Sequence, residues 1–205
     1  MAVLLAATSP ALSEQVAAGN LTAGAMKHCE SGRLAHDRPS RLAHYEKGRL
    51  LGEQAVAADE RSADAHFSLF CNLGELMRID GETSLSSVLG FRRMMKELDR
   101  TLELAPDHLD ALSAKGTLLV RLPSLLGGDK YQGEEILRQV IRREPNSVNA
   151  RLSLAKSYSA GGKHEEALSL AAEALHLAEV HHRDDFLPEA RSILAQLRST
   201  ASKAN

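Results

Sequence analysis

Histidine and carboxylate recur at intervals of three near the C-terminal end of the chain: Glu173, His176, Glu179 and His182, with His181 adjacent. Imidazole and carboxylate on a shared helix face are metal-ligand chemistry. Each step of three falls about 60° short of a full helical revolution, so only neighbouring pairs share a face. A di-metal bundle site also needs a second Glu-x-x-His element on another helix, and the sequence offers none. The expectation is a solvated histidine cluster at a helix C-terminus, where the dipole favours positive charge. No metal and no cofactor are expected.

Three further arrangements invite a chemical reading and do not sustain it. His28-Cys29-Glu30 suggests a thiol nucleophile, but no spacing ties a second histidine to Cys29, and a nucleophile requires an exposed thiol with a lowered pKa. Gly127-Gly128-Asp129-Lys130 suggests a phosphate loop. A P-loop needs Lys followed by Ser or Thr after its second Gly, whereas Asp follows Gly128 and Tyr follows Lys130. The segment is better explained as glycines permitting positive φ ahead of a helix capped by Asp129. No G-x-S-x-G elbow occurs among the serines, and no strand pattern exists to carry one. No enzyme activity is expected.

The elements that would position such groups are helices. Of the 205 residues, 43% are hydrophobic, only 3% are aromatic and none is Trp, so the core must be built from Leu, Ala, Val and Ile. Small aliphatic residues suit closely packed helices, and the β-branched and aromatic clusters of sandwiches and barrels are missing. The balance of 25 basic against 27 acidic residues is mixed along the whole length. No basic stripe rises above it, so no nucleic-acid partner is expected. No apolar run approaches the roughly 18 residues of a transmembrane span. Residues 1–13 carry no charged side chain and end in Ala11-Leu12-Ser13. They resemble the back half of a secretion signal without its positive n-region, and otherwise read as an N-terminal arm. The leaning is towards a periplasmic or exported protein, with a cytoplasmic one the alternative. Cys29 and Cys71 have no metal spacing and read as small buried hydrophobes; in an oxidising compartment one disulfide is the alternative.

The clearest organised unit begins at Val148. Leu152, Leu154, Ala155 and Tyr158 recur three and four apart, and Gly161-Gly162 follows. A second run passes through Ala167, Leu168, Leu170, Ala171, Ala174, Leu175 and Leu177. This is helix, tight turn, helix. Upstream, Pro106 and Pro145 each follow a helical run and stop it. They stand 39 residues apart, and the unit between them carries extra residues at 122–129, between helices expected over 109–120 and 133–143. An earlier hairpin is expected from 63–79, a loop at 80–84, and a second helix to about 104. Before it, helices are expected over 12–30 and 39–59. A last helix over 186–199, capped by Asp184 or Asp185 and with Pro188 in its first turn, would lid the stack.

Counted from Val148, the unit resembles the tetratricopeptide repeat. Leu154, Ala155, Tyr158, Gly162, Ala167 and Ala174 fall on the repeat's Leu, small residue, Tyr, turn Gly, Ala and Ala. The departure is Glu179, which stands where a Pro commonly ends the second helix and implies a longer one. The resemblance implies an all-α, tetratricopeptide-like stack (an α-solenoid) of about four hairpins with a C-terminal capping helix, over 14–205 as one domain. More narrowly, 64–158 resembles a bacterial subgroup similar to the periplasmic T-component proteins of TRAP-type transporters.

In the tetratricopeptide family the first helices line a concave face. Carried over position by position, that implies partner-binding residues Asp64, Phe67, Cys71 and Glu75 in the early unit. The middle unit would supply Asp110, Ser113, Thr117 and Arg121, and the clear unit Asn149, Leu152, Lys156 and Ala160. Only Asn149 and Lys156 resemble the clamp with which some members hold a terminal carboxylate, so a negatively charged peptide tail is not expected. Leu122, Leu125 and Leu126 of the 122–129 insertion are expected to plug a gap between hairpins rather than form an exposed anchor. The function implied is a non-catalytic scaffold that binds a protein, as a peptide or partner helix, on the concave face. The alternative is a small-molecule-binding accessory component of an exported transport system.

Overall fold

A computed structural model describes residues 10–80 and 85–204. Residues 1–9 of the expected N-terminal arm and 81–84 of the expected loop lie outside the described residues. The described residues form nine α-helices and no strand, and none of these helices is long and apolar enough to cross a membrane. The repeat grammar anticipates one array over 14–205; the chain divides into two compact units, Met1–Pro106 and Asp107–Asn205.

The first unit holds α1 (Pro10–Leu34), α2 (Arg38–Ala58), α3 (Ala63–Asp80) and α4 (Leu85–Leu104). Asp37 starts α2 by accepting the Ser40 N–H at 2.8 Å, with Pro39 beside it in the first turn. Capping of this kind satisfies a donor that the first helical turn leaves orphaned. Helix α1 packs on both α2 and α3, and α3 packs on α4. The core between them contains Ala25, Tyr45, Ala55, Leu69, Met94 and Leu98. Cys29 and Cys71 are joined by a disulfide that pins α1 to α3, with Cα atoms 6.3 Å apart. This corrects the reading of two independent buried thiols. Both positions are buried as expected, but helix packing brings them face to face, which no local spacing reveals.

The second unit holds α5 (Leu109–Arg121), α6 (Lys130–Arg143), α7 (Val148–Ala160), α8 (His164–Val180) and α9 (Leu187–Ala204). A single 3₁₀ turn, Ser124–Leu126, lies between α5 and α6. The α5–α6 crossing is made by two glycines. A methyl on Gly116 would meet Leu137 Cγ at 2.8 Å and the Gly133 carbonyl at 3.1 Å, and one on Gly133 would meet the Gly116 carbonyl at 2.9 Å. The two backbones touch, and no larger residue fits at that separation.

The repeat's small positions do the corresponding work between α7 and α8. Ala155, Ala167 and Ala174 are wholly inaccessible, and Ala171 and Ala178 extend the stripe. Val148 and Leu152 of α7 join these alanines in one core with Ala190, Ile193, Leu194 and Leu197 of α9. A second core joins Leu137 and Val140 of α6 to Ala150 and Leu154 of α7. The turn between α7 and α8 uses Gly162 at φ 78°, and the Lys163 N–H reaches back to the Tyr158 carbonyl. Helix α8 runs on past Glu179 to Val180, as the missing Pro implies. Pro188 falls in the first turn of α9.

Candidate functional site

In the first unit the residues carried over from the repeat are largely covered. Asp64 lies exposed in the first turn of α3. Phe67 is buried and stacked on Phe70, with ring centroids 5.7 Å apart. Cys71 is held in the disulfide. Glu75 is buried beneath Arg33 of α1, which bonds it at 2.8 Å, and also pairs with Arg78 at 3.3 Å. The same guanidinium of Arg33 lies 3.3 Å from the Cys71 sulfur. Cys71 and Glu75 are therefore interior positions because α1 lies over them, and Phe67 is buried as well. Opposite, His66 of α3 bonds Glu97 of α4 at 2.6 Å through Nδ1 and the Glu60 carbonyl at 3.0 Å through Nε2.

The second unit keeps more of its row open. Asp110 and Arg121 are exposed, at the two ends of α5. Ser113 is buried and accepts from the Asn149 amide at 3.0 Å. Thr117 donates to the Ser113 carbonyl and shares a 2.8 Å hydrogen bond with Ser153. Leu152 is a core residue between α8 and α9 rather than a surface contact. Lys156 is exposed and pairs with Glu189 of α9, and Ala160 is exposed at the end of α7. Ser113, Thr117 and Asn149 thus form a polar seam that ties α5 to α7. No local pattern marks Ser153 or Glu189 as partners of this row, since these pairings span 36 and 33 residues. Near Asp110, burial raises the carboxyl of Glu144 above its usual value. The Asp110 charge adds to the rise, and Arg183 opposes it.

The 122–129 insertion departs from expectation. Leu125 is 95% and Leu126 61% exposed, and Leu122 is only partly buried. Nor are they a plug: their turn is closed by its own backbone. The N–H groups of Leu126 and Gly128 bond the Pro123 carbonyl, that of Gly127 bonds Ser124, and that of Asp129 bonds Leu119 at 3.0 Å. Gly127 supplies the positive φ, and Asp129 caps α6 by accepting from Gln132 at 3.0 Å. Tyr131, 85% exposed, stands at the start of α6, next to the exposed Lys130 and a short distance along the chain from Arg121. The turn's backbone groups are paired without burying these leucines, so its shape does not depend on covering them.

The other chemical candidates are engaged elsewhere or solvated. Cys29 has no free thiol. Glu173 pairs with Arg151, and Glu179 with Arg191. His176, His181 and His182 are exposed. Among the described residues no three metal-ligating side chains are gathered. A cleft of about 420 Å³ lies along α4, over Phe91 and Met95 and rimmed by Arg92, Lys96, Asp99 and Arg100.

No protein-family model matches the chain, and no curated protein does. Solved structures do. A thermophilic tetratricopeptide protein of Thermus thermophilus, TTC0263, superposes with a TM-score of 0.55 at 19% identity, over 80% of this chain and 81% of that one. MamA AMB-1 gives 0.51 at 21%, over 90% and 95%, and MamA MSR-1 gives 0.50 at 16%, over 93% and 99%. At these identities the likeness is one of fold. Together with the hairpins and the alanine crossings, it makes the chain a tetratricopeptide-type helical repeat protein in architecture.

Proposed function

We propose that the chain is a non-catalytic scaffold that binds a protein partner through its second unit. The observation that carries this reading is the exposure of Leu125 and Leu126 on a turn braced by its own hydrogen bonds. Exposed apolar side chains held together are a solubility liability unless a partner covers them. Tyr and Arg beside them are the residue types that dominate binding energy at protein interfaces. Tyr131 and Arg121 flank the turn, and Arg121 also ends the row formed by Asp110, Thr117, Asn149 and Lys156. The partner in this reading lays a peptide or helix along the α5–α7 row and covers the two leucines with apolar side chains of its own. Asp64 of the first unit is not required. The disulfide favours an oxidising compartment, since such bonds persist there and are rare in a reducing one.

The test is affinity purification of the full chain from its native host, with mass spectrometry of what is retained. Wild type is compared with a Leu125→Asp/Leu126→Asp variant and with an Arg121→Glu/Lys156→Glu variant. A stoichiometric protein lost from both variants is the expected result. A protein retained equally by both variants would place the contact elsewhere. A bound organic acid with no protein would replace the scaffold with the small-molecule accessory.

A further inference from the structure

His28 of α1 and His44 of α2 meet across the first hairpin with their Nδ1 atoms 3.0 Å apart. The rings are tilted by 43°, with centroids 5.3 Å apart. Neither the scaffold reading nor the disulfide uses them. Two ring nitrogens at this separation form a hydrogen bond only when one carries a proton and the other presents its lone pair. One further proton, placed on an outward-facing nitrogen, leaves the bond intact and strengthens it by charge. A proton on each Nδ1 sets two N–H groups against each other and abolishes the bond.

We propose that the His28–His44 contact is a proton-sensitive catch between α1 and α2, closed at neutral pH and released when both rings are protonated. The surroundings favour release. Lys27 on α1 and Lys47 on α2 add positive charge beside the pair. Burial first, then His44, Lys47 and Lys27, lower the pKa of His28. No carboxylate is among the groups that shift His28: Glu46 of α2 pairs with Arg49, and Glu30 of α1 is exposed to solvent. On α3, the other helix packed against α1, Glu75 is taken by Arg33 and Arg78, His66 is bound to Glu97, and Asp64 lies in the far first turn. Sequential protonation of two coupled imidazoles belongs to the pair rather than to either ring. The disulfide next to His28 keeps α1 attached to α3. Release is therefore a local loosening of one helix face, not the loss of the helix.

The experiment uses the oxidised full chain. Hydrogen exchange of α1 backbone amides is followed from pH 7 to about pH 5, corrected for intrinsic exchange, alongside NMR titration of the two imidazoles. In wild type, protection around residues 25–32 should fall several-fold, and the imidazole signals should report loss of the Nδ1–Nδ1 hydrogen bond over the same pH range. His44→Gln and His28→Gln each leave a single ionisable ring; the part of the fall that comes from the pair should disappear in both, and His44→Gln should keep only the smaller fall that burial of His28 and its lysine neighbours impose. Lys47→Met should move the wild-type fall to higher pH, because removing a neighbouring positive charge makes the second protonation easier. An Nδ1–Nδ1 hydrogen bond that survives to about pH 5 overturns the proposal, as does a fall in protection of undiminished size in both glutamine variants.

Discussion

Removing the disulfide should destabilise the first unit by about 4 kcal/mol, and replacing its two cysteines by somewhat more. The bond joins residues 42 apart in sequence. For a loop of that length the loss of unfolded-chain entropy gives about 4 kcal/mol at 25 °C. Both cysteines are buried, at 0% and 6% exposure. A Cys29→Ala/Cys71→Ala variant therefore also loses sulfur contacts and leaves small voids, worth roughly a further 1 kcal/mol. Reduction of the wild-type protein removes the link while keeping both sulfurs, so it isolates the first contribution. Arg33 limits the damage in either case, because its ion pair with Glu75 still ties α1 to α3. The assay is urea denaturation of the oxidised, reduced and variant proteins, with hydrogen exchange to locate the change. Protection should be lost in α1, α2 and α3 and kept in α7 and α8. If the reduced and oxidised proteins unfold within about 0.5 kcal/mol of each other, the cross-link does not constrain the unfolded chain. Equal loss of protection in α7 and α8 would refute the assignment of the effect to the first unit.

Gly116→Ala should cost about 1–3 kcal/mol, because its methyl would meet Leu137 and the Gly133 carbonyl at the α5–α6 crossing and overpacking of a close crossing is destabilising; the chemical-denaturation midpoint measures it. Glu144→Gln should stabilise the protein at pH 7. Its carboxyl titrates above the usual value in the folded state, chiefly through burial, so the folded chain holds that proton more firmly than the unfolded chain does. The stability this contributes is present below the unfolded value of 4.5 and lost as pH rises through the folded one. The advantage of the variant should accordingly vanish when melting is compared below pH 4.5.

The helices, their turns and the α7–α8 crossing were legible because each follows from local pattern. Ala155, Ala167 and Ala174 recur at helix spacing, Gly162 takes a left-handed turn, and Asp129 caps α6. That cap is also why α6 begins at Lys130 rather than at 133. What could not be read depends on how one helix lies on another. Glu75 looks like a surface position on an isolated α3 and becomes interior only when α1 brings Arg33 over it, and Cys71, legible as buried, shows its bond to Cys29 only in that packing. Leu125 and Leu126 belong to a single 3₁₀ turn, too short to have a periodicity. Apolar composition alone then says nothing about whether they point inward or outward.

The turn that carries these leucines leaves α5 at Leu122 and is back at Asp129, bonded to Leu119, before α6 begins. Its ends are consequently fixed by the hairpin, and its backbone by its own hydrogen bonds. Within it Gly127 must supply the positive φ, and a methyl on Gly128 would strike the Leu122 carbonyl, so the side chains at 124–126 are the ones that can be exchanged while the Gly116–Gly133 crossing keeps its geometry. Under the proposed scaffold role, recognition can thus diverge at three side chains without renegotiating the architecture that supports them.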